Sequence, residues 1–191
     1  MIASSGPESH IALGGNTSRL VSNGPLSNII SSGHFSLIAS SGMVSKIVSS
    51  GKSCRIISSG DFSRIISNGF SSMIISSGKE SRIVLNESYA TVISSGDRTA
   101  VTSNAPWSSL DIAGTNSVAM ALGPNCRIKG TLGTWITLAE WGHEDGIDSN
   151  MIPICVKSAK IDGEMLKPNV WYKLRNGEFV KAKRSYAEVG V

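Results

Sequence analysis

The sequence has little of what catalysis, metal binding or membrane insertion requires. Only 17% of its 191 residues are charged and 6% are aromatic, and it contains three cysteines and three histidines. No stretch approaches the roughly 18 consecutive apolar residues of a transmembrane helix. The first residues, Met-Ile-Ala-Ser-Ser-Gly, have neither the basic nor the apolar region of an export signal. We therefore expect a chain that is not exported and has no membrane partner.

The positive charge of the chain is modest and spread out. Residues 1–131 contain ten Lys and Arg against six Asp and Glu, whereas residues 132–191 contain eight of each. Proteins that bind nucleic acid usually carry a clustered basic patch, so nucleic acid is not an expected partner. The 40% hydrophobic content excludes general disorder.

A nine-residue repeat fills most of the chain. Fourteen consecutive units run from Gly6 to Thr131 without an insertion, and they follow the pattern G-x-x-S-x-I-[IV]-S-[SN]. We number the columns of this repeat from one, at the glycine, to nine. Self-similarity at a short fixed period is typical of solenoids, in which each unit packs on its neighbours.

The columns predict which side chains face the core. Column six is always apolar and column four always small, whereas column five accepts full charges and must face water. Because strand side chains alternate at period two, columns four, six and eight are expected to point inward. The buried serines of these columns should hydrogen-bond along the stack or to backbone carbonyls, since an unpaired buried hydroxyl costs about 1–3 kcal/mol.

These features predict an all-β protein, a two-sided, β-roll-like parallel β-solenoid with 18 residues per coil. Two units should form each coil, because nine residues cannot enclose a ladder of Ile side chains, and residues 1–131 would then form about seven coils. Residues 132–191 should form a C-terminal β-rich capping and interaction module. We expect Gly in column one to supply the positive φ of a tight corner, and Asn23 and Asn68, just before it, to suit the same corner.

The cysteines fit this register. Cys54 and Cys126 both occupy column four and lie 72 residues apart in the sequence, which corresponds to four coils, or about 19 Å. This separation rules out a disulfide between them. With only Cys155 remaining, we interpret all three as free thiols in a reducing compartment.

Column seven should also point outward, yet nearly all of its side chains are aliphatic. Two interpretations remain open: the strands bend and bury these side chains, or both faces carry an exposed apolar stripe that marks an interface with another copy or a partner. The interface would comprise Val21, Ile30, Val48, Ile57, Ile66, Ile75 and Val84.

Column five divides between the two faces of the solenoid. Alternate units place a basic row of Lys46, Arg64 and Arg82 on one face, together with Asn28, and place Arg55 on the opposite face. We interpret the basic row as a solvated row of charge that discourages aggregation; contact with phosphates or with an acidic protein is the alternative.

From Leu132 onward the period breaks and aromatic residues become frequent. The segments 135–141 and 152–161 alternate like strands, and 170–174 and 178–182 flank Arg175-Asn176-Gly177, a hairpin signal. The simplest role of this module is to cover the open end of the solenoid and stop end-to-end growth.

The repeats resemble other nine-residue solenoids in period. The RTX β-roll is similar in having two units per coil, but Asp is absent from the matching turns apart from Asp61 and Asp97, so calcium binding is not implied. Tandem Ser-Gly nonapeptides followed by segments such as Lys167-Pro168-Asn169-Val170-Trp171-Tyr172 resemble uncharacterised bacteriophage and gut-bacterial proteins. This resemblance implies a viral or mobile-element origin and a location in the host cytoplasm or in a virion, and it brings no activity.

Few residues of the chain suggest chemistry. Five residues cluster in one Gly-containing segment, but their spacing matches no ligand motif: Glu140, His143, Glu144, Asp145 and Asp148. No histidine has a neighbouring nucleophile and carboxylate. The sequence therefore predicts no catalytic residue, no metal and no cofactor.

Three functions remain as hypotheses. The first is a non-enzymatic structural or interaction scaffold that forms a homo-oligomer through column seven and presents its surface to a host or virion protein. The second is an intracellular inhibitor or adaptor that binds a host macromolecule through the basic row or exposed aromatic residues. The third is a carbohydrate-binding or carbohydrate-active solenoid. The repeats of this sequence, however, lack the aligned pair of carboxylates that glycoside hydrolysis needs.

Overall fold

The protein is an all-β solenoid built from two parallel sheets. The computed structural model describes residues 1–143 and 151–182. Sheet A contains β1 Ile2–Ser4, β3 Arg19–Ser22, β5 Leu37–Ser40, β7 Arg55–Ser58, β9 Met73–Ser76, β11 Thr91–Ser94, β13 Ser109–Ile112, β15 Arg127–Gly130, β18 Tyr172–Arg175 and β19 Glu178–Lys181. Sheet B contains β2 His10–Leu13, β4 Asn28–Ser31, β6 Lys46–Ser49, β8 Arg64–Ser67, β10 Arg82–Leu85, β12 Ala100–Ser103, β14 Val118–Ala121, β16 Trp135–His143 and β17 Met151–Lys160.

The strands alternate between the sheets, so two nine-residue units complete each coil of 18 residues. Arg55 pairs with Leu37 in sheet A, and Arg64 pairs with Lys46 in sheet B, which confirms two walls per coil. The parallel stack makes about eight turns rather than seven. It is longer than the repeat at both ends, because β1 stacks on β3 and β16 stacks on β14.

The core is the column-six ladder that the sequence predicts. Leu20, Ile47 and Ile83 are completely buried, like nearly all other members of the column. Burial of such an aliphatic side chain contributes about 1.5–3 kcal/mol, and the contribution recurs in every unit. Column eight is also apolar at Leu13, Leu85 and Ile112, and these buried side chains add to the core.

The expectation for the column-one glycines is wrong. Their φ angles are not positive; the left-handed residue of every unit lies in column three, where φ ranges from 53° to 61° in all fourteen units. Glycine fills twelve of the fourteen column-one positions because the coils approach closely there, and Glu87 and Ala105 occupy the other two. A Cβ at Gly60 would lie 1.9 Å from the carbonyl oxygen of Gly42, one coil earlier.

The column-three residues are strained but well anchored. The left-handed backbone conformation is unfavourable for Val44, with φ 58°, and for Thr17, with φ 55°, since a β-branched residue rarely adopts this region. The backbone N–H of Val44 donates to the carbonyl of Asp61 in the next coil at 2.8 Å. The same bond recurs along both corners and offsets the local strain.

The buried serines divide into two groups. Column-four hydroxyls donate to the column-one carbonyl of their own unit, as in Ser27 Oγ to Gly24 O at 2.7 Å. Column eight departs from expectation, because within the described residues seven of its buried hydroxyls have no hydrogen-bond partner: Ser31, Ser40, Ser49, Ser58, Ser67, Ser76 and Ser94. The prediction fails for these seven serines, whereas Ser22 and Ser103 of the same column donate to the hydroxyls of Ser27 and Ser108 at 3.0 and 2.8 Å.

The C-terminal module continues both sheets with antiparallel strands. β17 pairs with β16, and β18 and β19 form a hairpin beside β15. The hairpin turn is the predicted Asn-Gly turn, with positive φ at Asn176 and Gly177. Ile161, Tyr172 and Leu174 pack against the end of the apolar ladder, so the module covers the C-terminal end of the core.

Candidate interaction surfaces

Column seven faces outward on both sheets, and the strands do not bend to bury it. In sheet B the column-seven residues stack in register through Ile30, Val48, Ile66 and Val84. In sheet A they stack through Val21, Ala39, Ile57, Ile75 and Ile93. Ile30 is 51% exposed and Ile57 is 42% exposed, while the other members are intermediate or exposed. The predicted stripe is therefore two aliphatic rows on opposite faces.

The two aliphatic rows have different neighbours in column five. The row of sheet A lies beside half-buried Leu37, Met73 and Thr91, with Arg55 among them. The row of sheet B lies beside the basic row. The outer face of sheet A therefore has the broader apolar area, whereas sheet B carries three cations in successive coils.

The basic row is an in-register stack of cations on sheet B. Lys46 pairs with Arg64 and Arg64 with Arg82 along neighbouring parallel strands, which lie about 4.8 Å apart. None of the three forms an ion pair within the described part of the chain, since the nearby Glu80 pairs with Arg98 at 2.6 Å. The row is exposed and is open to an anion.

An aromatic ladder lies on the corner that precedes the sheet A strands. We define it as Phe70, Tyr89 and Trp107, which occupy column two or three of successive coils. The rings of Phe70 and Tyr89 are in edge contact with centroids 5.4 Å apart, and those of Tyr89 and Trp107 are stacked in parallel at 5.9 Å. All three rings are about half exposed. The ladder was not predicted from the sequence, although the 18-residue spacing of Tyr89 and Trp107 could have revealed it.

A groove of about 770 Å³ begins at the end of this ladder. We call it the C-terminal groove; Tyr89 and Trp107 form one wall, and Lys173 and Arg175 of β18 contribute to another. Arg127 is nearly buried in the same groove, where its Nε donates to Ser109 Oγ at 2.8 Å and its guanidinium lies 4.4 Å from the centroid of the Trp171 ring. Lys129 lies over the same ring and pairs with Asp111 at 2.6 Å.

The acidic segment of the sequence has one member with a clear structural role. Both carboxylate oxygens of Glu140 accept backbone N–H groups of the hairpin turn, from Asn176 and Gly177, each at 2.7 Å. These two bonds lower the pKa of Glu140 below its ordinary value. His143 ends β16, and the other three predicted residues, Glu144, Asp145 and Asp148, lie outside the described residues. Glu140 therefore braces the hairpin.

Three other groups have pKa values that are shifted by their structural surroundings. Asp97 accepts the backbone N–H and the hydroxyl of Thr115 in the next coil, each at 2.9 Å, and these bonds lower its pKa. Backbone N–H groups, that of Glu164 foremost, lower the pKa of Asp162 in the same way. Burial raises the pKa of the Cys126 thiol to about 11, so this thiol is protonated at neutral pH and is a poor nucleophile.

The prediction for the cysteines can be followed directly. Cys54 and Cys126 are buried in column four as expected, and all three cysteines are free. In residues 1–143 and 151–182 no three His, Cys, Asp or Glu side chains are grouped as metal ligands would be. The turn residue Asp61 accepts the backbone N–H of Lys79 in the next coil at 2.7 Å, so its carboxylate, like that of Asp97, links one coil to the next.

Comparison with known proteins gives no match to this chain among family models, curated proteins or solved structures. Among the described segments there is no helix that is long and apolar enough to cross a membrane. The arguments for function therefore rest on the surfaces described above.

Proposed function

We propose that this protein is a non-enzymatic structural or interaction scaffold that self-associates through its aliphatic rows. The observation that carries the proposal is the in-register exposure of β-branched side chains on the faces of a rigid solenoid. Rows of this kind exceed the isolated apolar residues that ordinary surfaces expose. Association of two such faces would remove the aliphatic side chains from water.

Sheet A is the better face for contact between two copies. Ile57, Ile75 and Ile93 stack in its centre, and half-buried Met73 widens the apolar area. Two copies of sheet B would bring two basic rows close to each other, and like charges in apposition oppose association. We infer that sheet A forms the homotypic contact and that the basic row of sheet B is available to a host or virion protein with an acidic surface.

The area of one face limits the strength of the contact. Seven strands at about 4.8 Å and four residues at about 3.3 Å give a face of roughly 34 by 13 Å. Stable dimers bury about 800 Å² of each partner, so one face of this solenoid is small for a stable dimer. We therefore expect a dimer that dissociates in the micromolar range.

Sedimentation velocity between about 1 and about 100 μM tests this proposal. Wild-type protein should pass from monomer to dimer, whereas Ile57→Lys and Ile75→Lys should remain monomeric because a charge placed in the row would be desolvated on association. Ile66→Lys makes the same change on sheet B and should still dimerise.

Circular dichroism of the same variants is the control for folding. Monomeric wild-type protein across this range would disprove self-association and would favour the adaptor function, in which the rows or the basic row bind a different macromolecule. Unfolding of Ile57→Lys would show that column seven contributes to the fold and would remove the basis of the proposal.

A further inference from the structure

The aromatic ladder ends where the C-terminal groove begins. Tyr89 and Trp107 are parallel, with centroids 5.9 Å apart. In the next coil, column three holds Asn125, which is smaller and also lines the groove. Trp107 is 51% exposed. A planar aromatic group that enters the groove can therefore stack on Trp107, as Tyr89 does from the other side.

The charged residues that line the groove are all cations. Arg127, Lys173, Arg175 and Lys181 line it, and no carboxylate of the described residues does. Lys173 is brought beside Arg127 by the antiparallel pairing of Ile128 with Tyr172. These charges lie close together although they come from separate segments of the sequence.

Two of these cations are well placed to bind an anion. Lys173 and Arg175 are both exposed on the outer side of β18. Two carboxylates lie near Arg175. Glu178, opposite it in the hairpin, pairs with Lys157 at 2.8 Å. Glu140 accepts the turn N–H groups and also attracts Arg175 electrostatically. Arg127 is held by Ser109 and Trp171, so we treat it as part of the floor.

The combination defines the chemistry of a ligand. A volume of about 770 Å³ lies within the usual range of small-molecule sites, about 300–1,000 Å³. Exposed rings beside a positively charged groove are the arrangement with which proteins hold single-stranded nucleic acids, because each base has a flat π-face and each phosphate a negative charge. A sulfated or carboxylated glycan would satisfy the cations but would have no aromatic face for Trp107.

We propose that the C-terminal groove binds a nucleotide, with its base stacked on Trp107 and its phosphate contacted by Lys173 and Arg175. The nucleotide is either free or part of a single-stranded nucleic acid. From the sequence, nucleic acid was not an expected partner, because the basic residues are dispersed along the chain. The fold gathers Lys173, Arg175 and Lys181 into one groove.

Titration of the full-length protein tests the proposal. The probes are the four ribonucleoside 5′-monophosphates and a labelled single-stranded oligonucleotide of about eight nucleotides. Tryptophan quenching and calorimetry report the binding of the mononucleotides, and fluorescence anisotropy reports that of the oligonucleotide. A heparin fragment, which carries sulfates but no base, serves as the comparison. We expect at least one mononucleotide or the oligonucleotide to bind.

Trp107→Asn should weaken nucleotide binding by about 10-fold or more, because the remaining ring of the groove, Tyr89, lies one coil farther from Lys173 and Arg175. Asparagine suits the left-handed φ of this position and already occupies column three at Asn116 and Asn125, so the variant should fold. Phe35→Asn is the matched control: it removes an exposed ring from column three of the same corner, far from the groove, and should leave binding unchanged.

A double substitution of Lys173→Gln and Arg175→Gln should also weaken binding. It should reduce the salt dependence of oligonucleotide binding by about one unit of slope for each phosphate that the variant no longer neutralises. The same pair of changes at Lys46 and Arg64 on sheet B should have no effect. The double variant of Lys173 and Arg175 tests the proposal even if Trp107→Asn fails to fold.

Each outcome decides the proposal. Binding of the oligonucleotide at least about 10-fold tighter than any mononucleotide supports a strand as the ligand, and equal or tighter binding of a mononucleotide supports a free nucleotide. The proposal is wrong if neither probe binds at millimolar concentration, if the heparin fragment alone binds, or if Trp107→Asn binds like wild type. Ile57 does not line the groove, so Ile57→Lys should bind nucleotides at least as tightly as wild type. Because Thr91 belongs both to the groove and to the face proposed for self-association, this monomeric variant separates failure of one proposal from failure of the other.

Discussion

The solenoid and the C-terminal module are stabilised in different ways. In the solenoid each feature recurs every nine residues: a buried aliphatic side chain in column six, a glycine in most column-one positions and a left-handed residue in column three. In the module each contact occurs once, such as the Glu140 carboxylate beneath the hairpin turn and the Trp171 ring against Arg127. A repeated contact can be read from a pattern, whereas a unique contact depends on where distant segments meet.

The largest effect should come from the close approach of the coils. Gly60→Ala would place a Cβ 1.9 Å from the Gly42 carbonyl oxygen, and backbone on both sides would have to move. We expect a loss of about 1–3 kcal/mol in the free energy of unfolding, measured by urea titration. Gly6→Ala is the matched control, because its nearest contact is Ser9 Oγ at 3.7 Å, and it should change stability by less than about 0.5 kcal/mol. Equal effects would show that the glycine is required for another reason.

In the C-terminal module, removal of the Glu140 charge should destabilise only the strands near it. Glu140→Gln weakens both bonds to the hairpin turn, and hydrogen exchange should show faster exchange in β18 and β19 while the column-six strands keep their protection. Glu178→Gln alters an exposed ion pair of the same hairpin and should have a much smaller effect. Loss of protection throughout the solenoid would contradict the independence of the two regions.

The same carboxylate makes the module sensitive to acid. Because the pKa of Glu140 is lower in the folded protein than its ordinary value of 4.5, its contribution to stability is complete above that value and is lost as the pH falls through the folded pKa. Asp162 acts in the same direction. Protection of β18 and β19 should therefore fall below about pH 4.5, and Glu140→Gln should reduce this dependence without removing it.

The smallest expected effect is a gain in the stability of the solenoid. Val44→Asn replaces a β-branched residue at φ 58° with one that tolerates the left-handed region, and should stabilise the protein by about 0.5–1 kcal/mol. Val48→Asn makes the same substitution in a strand of the same unit and should destabilise. Thermal unfolding followed by circular dichroism separates the two results, and a loss of stability at Val44 would show that its partial burial outweighs the backbone strain.

The sequence predicted the repeating features of the fold well, because each depends on side-chain alternation alone. Ile65 is inward and Arg64 outward for the same reason in every coil, and the hairpin at Asn176 and Gly177 follows from local turn preferences. The function of the column-one glycine was predicted wrongly. Positive φ and close approach both demand glycine, and only the distance to the next coil distinguishes them.

The candidate sites were predicted less completely than the fold. The aliphatic and basic rows follow from the 18-residue coil and lie where the pattern placed them. The C-terminal groove could not be found in this way, since Trp107 and Arg175 are separated by most of the C-terminal module in sequence. The role of Glu140 was also hidden, because its partners Asn176 and Gly177 are 36 and 37 residues away.

The sequence by itself determined that this chain stacks into a two-walled solenoid and which columns face solvent, because a period of nine with alternating side chains allows few other arrangements. Tertiary structure alone decided how closely the coils approach, which corner residue carries the strain, and how the hairpin brings Lys173 and Arg175 beside Trp107. The physical reason is that alternation acts between neighbours in the chain, whereas these features depend on distances between segments that the chain itself does not constrain.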